Sequence, residues 1–227
     1  MWSEHRGRRS RLSGKSLARH KMNIVPPRSV ATYRSEHYTY RSLWSAAERL
    51  RELGETDDAN GFWSLLAATL LAFTAFEGFV NEAIESAAPD TWKRERKFFA
   101  SGKYTGTMGK AAFLADHAGH AVLRDARPFQ TVAELCAWRN ELVHPRTARI
   151  QGEALVVALS NKPRHAKPTV FKKLERPEFV ERCFADIVAL ADLLLDGFRE
   201  KEPNPVRHLG RYALWGPVGT GKISLKQ

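Results

Sequence analysis

FWSLLAATLLAFTAFEGFVNEAIESA, residues 62–87, is the stretch that decides the fold. Its apolar positions are Leu65, Leu66, Phe73, Phe76, Val80 and Ile84, with Thr69 among them. Steps of three and four place them on one face of a helix, so the spacing predicts a long amphipathic α-helix. Its most apolar part, Leu65 to Val80, contains Thr69, Thr74 and Glu77. That run is too short and too polar for a membrane span, so a core helix and no membrane partner are expected.

The same period recurs on both sides. Leu43, Trp44, Ala47, Leu50 and Leu53 predict a helix over about 34–53. Asp57, Asp58 and Asn60 are the candidate N-caps for the helix that follows it. Beyond Pro89, a short basic helix to about Phe99, a loop over 102–106 and a small helix over about 107–118 are expected. A further helix covers about 129–143 and stops before Pro145. Residues 148–160 read as a short hairpin turning near Gly152, followed by a Pro-rich basic loop to Thr169. The last helix spans about 177–199, with Phe179, Val180, Cys183, Phe184, Ile187, Val188, Leu190, Leu194, Leu195 and Phe198 as its stripe. The expectation is an all-α antiparallel helical bundle over 34–200, with a hairpin insert before the last helix.

The chain has 227 residues and a net charge of +11, a size that suits one core. The charge sits on the ends. Residues 1–41 hold ten Lys/Arg against two acids, and residues 199–227 hold six against two, leaving the body near neutral. A basic, disordered N-terminal extension is the reading for 1–33, which lacks the apolar run of a secretory signal; Met22 is an alternative start. Residues 201–227 read as a flexible basic tail. Within it, Gly216-Pro-Val-Gly-Thr-Gly221-Lys222 resembles a phosphate loop, but Ile223 stands where Ser or Thr would bind magnesium. Only five residues follow Lys222, too few for the helix whose N-terminus would face a phosphate. The two cysteines, Cys136 and Cys183, lie in no CxxC or His/Cys cluster. No metal, no cofactor and a reducing, cytoplasmic compartment are therefore expected.

Two polar side chains interrupt the apolar stripes. In the 129–143 helix the stripe is Val132, Leu135, Cys136, Leu142 and Val143, and Arg139 falls inside it. In the long helix Glu77 lies four after Phe73 and three before Val80, with Asn81 one turn on. A guanidinium on a core face needs an acid, or its face must line a cleft or an interface. A Glu77–Arg139 pair between packed helices meets that need. Arg139 is followed by Asn140 and, at the helix end, by His144 and Pro145. A histidine there sits at the negative end of the helix dipole and suits proton transfer.

Arg139-Asn140-Glu141-Leu142-Val143-His144 resembles the signature of the HEPN superfamily: an arginine, a polar residue, a few positions and a histidine late in a core helix. Ala72-Phe-Thr-Ala-Phe-Glu77-Gly-Phe-Val-Asn81 is similar to the earlier acid-bearing helix of such proteins. The resemblance covers about 40–200 in two patches. It implies a helical bundle that dimerises over paired Arg/His motifs. Many members are metal-independent endoribonucleases of toxin–antitoxin or antiviral defence systems; others only bind RNA or proteins. The basic helix and loop (Lys93, Arg94, Arg96, Lys97 and Lys103, with Trp92 and Tyr104) lie outside the signature.

RNA brings its own nucleophile, the 2′-hydroxyl. Arg139 would bind the phosphate and stabilise the charge that develops on it. His144 would move protons, and Asn140 would position the phosphate or orient His144. Glu77 and Asn81 are supporting residues. The five cations are candidate RNA contacts, set against a plain solvated basic face, and Phe98 and Phe99 are expected in the core. On an ideal helix, positions five apart point about 140° away from each other, so either Pro145 pulls His144 out of helical geometry and back toward Arg139 or a homodimer mate completes the site. Three readings result: a metal-independent endoribonuclease with an antitoxin or defence partner, a non-catalytic binding module with a structural Arg/His motif, and a nucleotide-binding regulator using the C-terminal loop.

Overall fold

The computed structural model describes residues 31–57, 60–120, 124–144, 169–174, 176–201, 213–216 and 219–225. Helices dominate. They are α1 (Thr39–Thr56), α2 (Gly61–Ala87), the single turns α3 (Pro89–Trp92) and α4 (Glu95–Phe98), α5 (Gly106–Ala118), α6 (Phe129–Val143), α7 (Thr169–Leu174) and α8 (Pro177–Lys201). Two strands, β1 (Ala31–His37) and β2 (Gly219–Leu225), pair in a two-stranded sheet. Ser35–Gly221 form one compact unit, which holds all the helices; Met1–Arg34 and Lys222–Gln227 form another.

Helix α2 is the spine of the bundle and touches α1, α3, α5, α6, α7 and α8. Its hairpin with α1 runs antiparallel, as three glycines show. A Cβ on Gly78 would stand 2.7 Å from the Cβ of Tyr40, at the start of α1. At the other end of the hairpin, a Cβ on Gly61 would meet the Gly54 carbonyl at 2.4 Å. Glycine at both ends lets the two backbones close on each other. The turn between them is tied by Asp57, whose side chain accepts the Asn60 N–H at 3.0 Å. Asp57 thus caps the end of α1, and Asn60, the N-cap of α2, makes no side-chain cap bond.

Ala68, Ala72, Phe73, Phe76, Phe79, Val80, Ala83 and Ile84 of α2 are all buried. Thr69 is buried too and returns its hydroxyl to the Leu65 carbonyl at 2.8 Å. Among the described residues, α2 is the one helix long and apolar enough to cross a membrane. The sequence expectation rested on the shorter run to Val80; the helix itself continues to Ala87. Half of its most apolar stretch is buried inside the bundle. The α8 stripe also packs into the core, with Cys183, Ile187, Leu190, Leu194, Leu195 and Phe198 sealed from solvent.

Several expectations need correction. The basic helix over 89–99 is two single turns separated by Lys93 and Arg94, because Arg94 leaves helical geometry at φ −111°, ψ 19°. The end of the Pro-rich loop enters α7 at Thr169, and the expected hairpin at 148–160 lies outside the described residues. The stripe of α6 runs through Phe129, Thr131, Val132, Leu135 and Trp138. Leu142 is only half-buried and Val143 is exposed, because the last turn of α6 reaches past the core.

The C-terminal stretch is the largest departure from a flexible tail. Ala213 and Leu214 are buried. The Ala213 N–H donates to Asp192 at 3.1 Å, and the Trp215 indole N–H donates to the Glu48 carboxylate at 3.2 Å. Trp215 also meets the buried Trp44 ring edge-on at 5.5 Å. An apolar run inside a basic tail thus docks on α1 and α8. Gly221 and Lys222, the end of the phosphate-loop lookalike, lie within strand β2. Residues 31–33, expected within the N-terminal extension, belong to strand β1.

Candidate functional site

Arg139 lies on the last turns of α6, where that helix leaves the core. It meets Glu77 of α2: Nη2 donates to Glu77 Oε1, and each side chain keeps 22% of its surface exposed. Nη1 donates to the Asn140 side-chain oxygen at 2.9 Å. The guanidinium carbon lies 5.3 Å from the centre of the Phe73 ring, which backs it on the core side. Nε is buried and finds no hydrogen-bond partner among the described residues. The two polar residues that interrupt the apolar stripes therefore face each other at the edge of the bundle.

Glu77 has a second donor. The Thr107 hydroxyl of α5 donates to the same Oε1 at 2.5 Å. One turn further along each helix, Lys110 Nζ donates to Asn81 Oδ1 at 2.8 Å and to Glu95 Oε1 at 2.6 Å. Lys110 is 13% exposed, with the Trp92 and Phe99 rings each 5.5 Å from its ammonium. Two polar clusters, Arg139–Glu77–Thr107 and Asn81–Lys110–Glu95, thus lie one turn apart along a seam across α6, α2, α5 and α4. Thr107 and Lys110 escaped the sequence reading, which considered only the apolar positions of α5. Their spacing of three, which puts both on one face, was the available signal.

His144 is the C-cap of α6 at φ −115°, ψ 63°, and is exposed. Its backbone N–H still donates to the Asn140 carbonyl at 3.0 Å. Asn140 is exposed as well. No hydrogen bond joins the Arg139 and His144 side chains among the described residues, so the structure brings Arg139, Asn140, Glu77 and Asn81 into one seam and leaves His144 at its open end. Cys136, one turn before Arg139, is half-buried. Burial pushes its thiol up against the pull of Arg139, with Glu77 adding to the rise. A raised thiol is a poor nucleophile.

The expected RNA contacts fall into two groups. Lys93, Arg94, Arg96 and Lys97 are exposed and, with Trp92 and Glu95, line a pocket of ≈ 470 Å³. Lys93 pairs with Asp90 at 2.9 Å, and Arg94 Nε donates to the Asp90 carbonyl at 3.3 Å. Glu95 and Arg96 also line a second pocket of ≈ 260 Å³ with Phe99, Thr107 and Lys110 among its walls, so the basic turn leads into the polar seam. Lys103 is placed apart from these cations: it donates to Asp116 at 2.8 Å, beside the Tyr104 hydroxyl at 2.9 Å. Those two bonds, Lys103 first, hold the Asp116 carboxyl below its usual range. Phe99 is buried, whereas Phe98 is partly exposed and stacks on Tyr104 with centroids 6.2 Å apart.

Among the described residues, no group of three or more His, Cys, Asp or Glu gathers that could hold a metal ion. The chain matches no family model, no curated protein and no solved structure.

Proposed function

We propose that the chain is a metal-independent endoribonuclease of HEPN type that works as a homodimer in the cytoplasm, in a toxin or antiviral defence setting with a partner protein that restrains it. The observation that supports this most is the state of Arg139. Glu77 and Asn140 hold its guanidinium at the edge of the bundle, partly exposed, with a histidine at the end of the same helix.

The chemistry follows from the donors left over. Arginine has five N–H groups, and the bonds to Glu77 and Asn140 use one on each terminal nitrogen. Among the described residues these two nitrogens make no further hydrogen bond, so each has a second hydrogen to offer a phosphate oxygen. His144 of one copy takes the proton from the 2′-hydroxyl, and the oxygen attacks the adjacent phosphorus. The 5′-oxygen leaves with a proton from the second copy's histidine. Arg139 stabilises the phosphorane, whose extra negative charge is absent in the ground state. The products are a 2′,3′-cyclic phosphate and a 5′-hydroxyl; DNA, without the 2′-hydroxyl, is not cut. Lys93, Arg94, Arg96 and Lys97 hold the flanking backbone in the pocket they line.

A second reading, a non-catalytic RNA- or protein-binding module, draws on the same pair. Glu77 already partners Arg139, as a structural bridge would, and among the described residues no hydrogen bond joins His144 to Arg139. One experiment separates the two. Purified chain and His144→Ala are incubated with end-labelled RNA in EDTA, and the ends are analysed. Cleavage to a cyclic phosphate by the parent, reduced about 10²- to 10⁴-fold in the variant, supports the ribonuclease. RNA binding without cleavage supports the module. Equal cleavage by both overturns the assignment of His144.

A further inference from the structure

The geometry points to Thr107 of α5 as a positioning residue that holds the Arg139 site in its working arrangement, a role that rests on the ribonuclease reading above. Glu77 receives Arg139 and Thr107 on one carboxylate oxygen. A carboxylate with only one donor can rotate about its last torsion and swing away. Two donors from different helices, α6 and α5, fix its plane. Fixing Glu77 fixes the guanidinium in turn, since Nη2 follows the oxygen it donates to. One turn along the same face of α5, Lys110 ties Asn81 on α2 to Glu95 on α4 with a single ammonium.

Neither residue is placed to act on a scissile bond itself. Thr107 spends its hydroxyl proton on Glu77, and Lys110 lies beside two aromatic rings with bonds to Asn81 and Glu95. Both also line the ≈ 260 Å³ pocket that shares Glu95 and Arg96 with the basic turn. RNA held by that turn therefore lies against the brace that sets Arg139. Preorganising a charge-stabilising group before substrate arrives raises the rate of the chemical step more than it raises affinity.

The test compares Thr107→Val, which keeps the shape and loses the hydroxyl, with Thr107→Ser, which restores it. RNA cleavage is measured in EDTA over a range of substrate concentrations, and hydrogen exchange of the Arg139 side-chain N–H groups is followed by NMR on the full chain. Thr107→Val should lower kcat about tenfold, the loss of one hydrogen bond to a charged group, with KM unchanged within about twofold. Thr107→Ser should recover kcat. Exchange at Arg139 should be faster in Thr107→Val than in the parent and in Thr107→Ser. An unchanged kcat in Thr107→Val, or a Thr107→Ser variant as slow as Thr107→Val, overturns the role. Where the parent itself cuts no RNA, the ribonuclease reading falls, and exchange alone decides the brace: unchanged exchange overturns it, and faster exchange recovered by serine supports it.

Discussion

Helix α6 has an arginine–carboxylate pair near each end, and the two are built for different things. Just before its start, Arg127 donates from Nε and Nη2 to both oxygens of Asp186 on α8, at 2.7 and 2.8 Å. Asp186 is almost fully buried, while Arg127 is more than half exposed. Thr131 adds a further bond to the carboxylate. Near the end of α6, Arg139 and Glu77 are equally and only partly exposed, and one oxygen of Glu77 takes both of its bonds. The first pair is saturated at its acid: both oxygens of a nearly buried carboxylate take a bond from Arg127, Thr131 adds a third, and the pair joins the start of α6 to α8. In the second, both bonds fall on one oxygen of a partly exposed acid at the edge of the bundle. A buried acid bonded on both oxygens is what a structural bridge needs, and a guanidinium held beside an open edge is what a phosphate needs.

The difference is sharpest when each arginine is removed. Arg139→Ala should lower RNA cleavage about 10²- to 10³-fold, the usual effect of deleting one preorganised donor to a developing charge. Its melting temperature should move little, because the Glu77 left behind keeps Thr107 and some contact with water. Arg127→Met should do the reverse. It strands a buried carboxylate, so the melting temperature should fall clearly while cleavage per folded molecule stays at the parental level. A large loss of stability in Arg139→Ala with no loss of cleavage would reverse the two roles.

Removing the acid is milder than removing its arginine at the saturated pair. In Asp186→Ala the abandoned Arg127 is already solvated, so the cost is the lost charge-assisted hydrogen bonds, about 1.5–3 kcal/mol. Denaturant unfolding of the parent and both variants checks the order. A variant Asp186→Ala less stable than Arg127→Met would mean that burial of the carboxylate carries little penalty.

The same pair sets a pH dependence. Burial pushes the Asp186 carboxyl up, but the bonds from Arg127 and Thr131 and the nearby Arg182 outweigh it, and the group ends below its ordinary 3.8. A carboxyl depressed in the folded state contributes stability that is fully present above 3.8 and is lost as pH falls through the folded value. In Arg127→Met burial dominates, the carboxyl rises, and the sign reverses: lowering the pH toward 4 should raise that variant's stability relative to neutral pH. Unfolding curves from pH 7 to 3 read both signs. Parallel curves for parent and variant would remove Asp186 from the account.

The two pairs also differ in how far the sequence revealed them. Glu77 and Arg139 stood out because charges in apolar stripes need partners, and α2 and α6 have regular stripes. The same rule singles out Asp186, three after Cys183 and four before Leu190 on α8, but the stripe there was read from its apolar members alone. Arg41, 2% exposed on α1 against the Tyr38 and Tyr40 rings, was missed for the same reason. Helix spans over 62–87 and 177–199 were legible because long periodic stripes leave little choice of face. The docking of Ala213 to Trp215 was not, since four residues are too few to show a period. Its one signal was the apolar run Tyr212-Ala-Leu-Trp215 among cations. How α6 ends was half legible: its last residue followed from Pro145, but the exposure of Leu142 and Val143 depends on where the core stops, which no local pattern encodes.

The smallest expected effects lie with the two threonines, one beside each acid. Thr131 is buried and bonds Asp186; Thr107 is half-buried and bonds Glu77. Each Thr→Val change removes one hydroxyl at constant shape. At the saturated pair Arg127 still occupies both carboxylate oxygens, so Thr131→Val should cost about 0.5–1.5 kcal/mol of stability and leave cleavage untouched. At the open pair the hydroxyl fixes the orientation of an acid that has only one other donor, so Thr107→Val should spare stability and slow the chemical step. One pair of isosteric changes, read by unfolding and by cleavage in the same preparations, therefore gives opposite patterns if the ends of α6 differ as described. Equal patterns would mean that both pairs are structural bridges, and the module reading of the Arg/His motif would then stand.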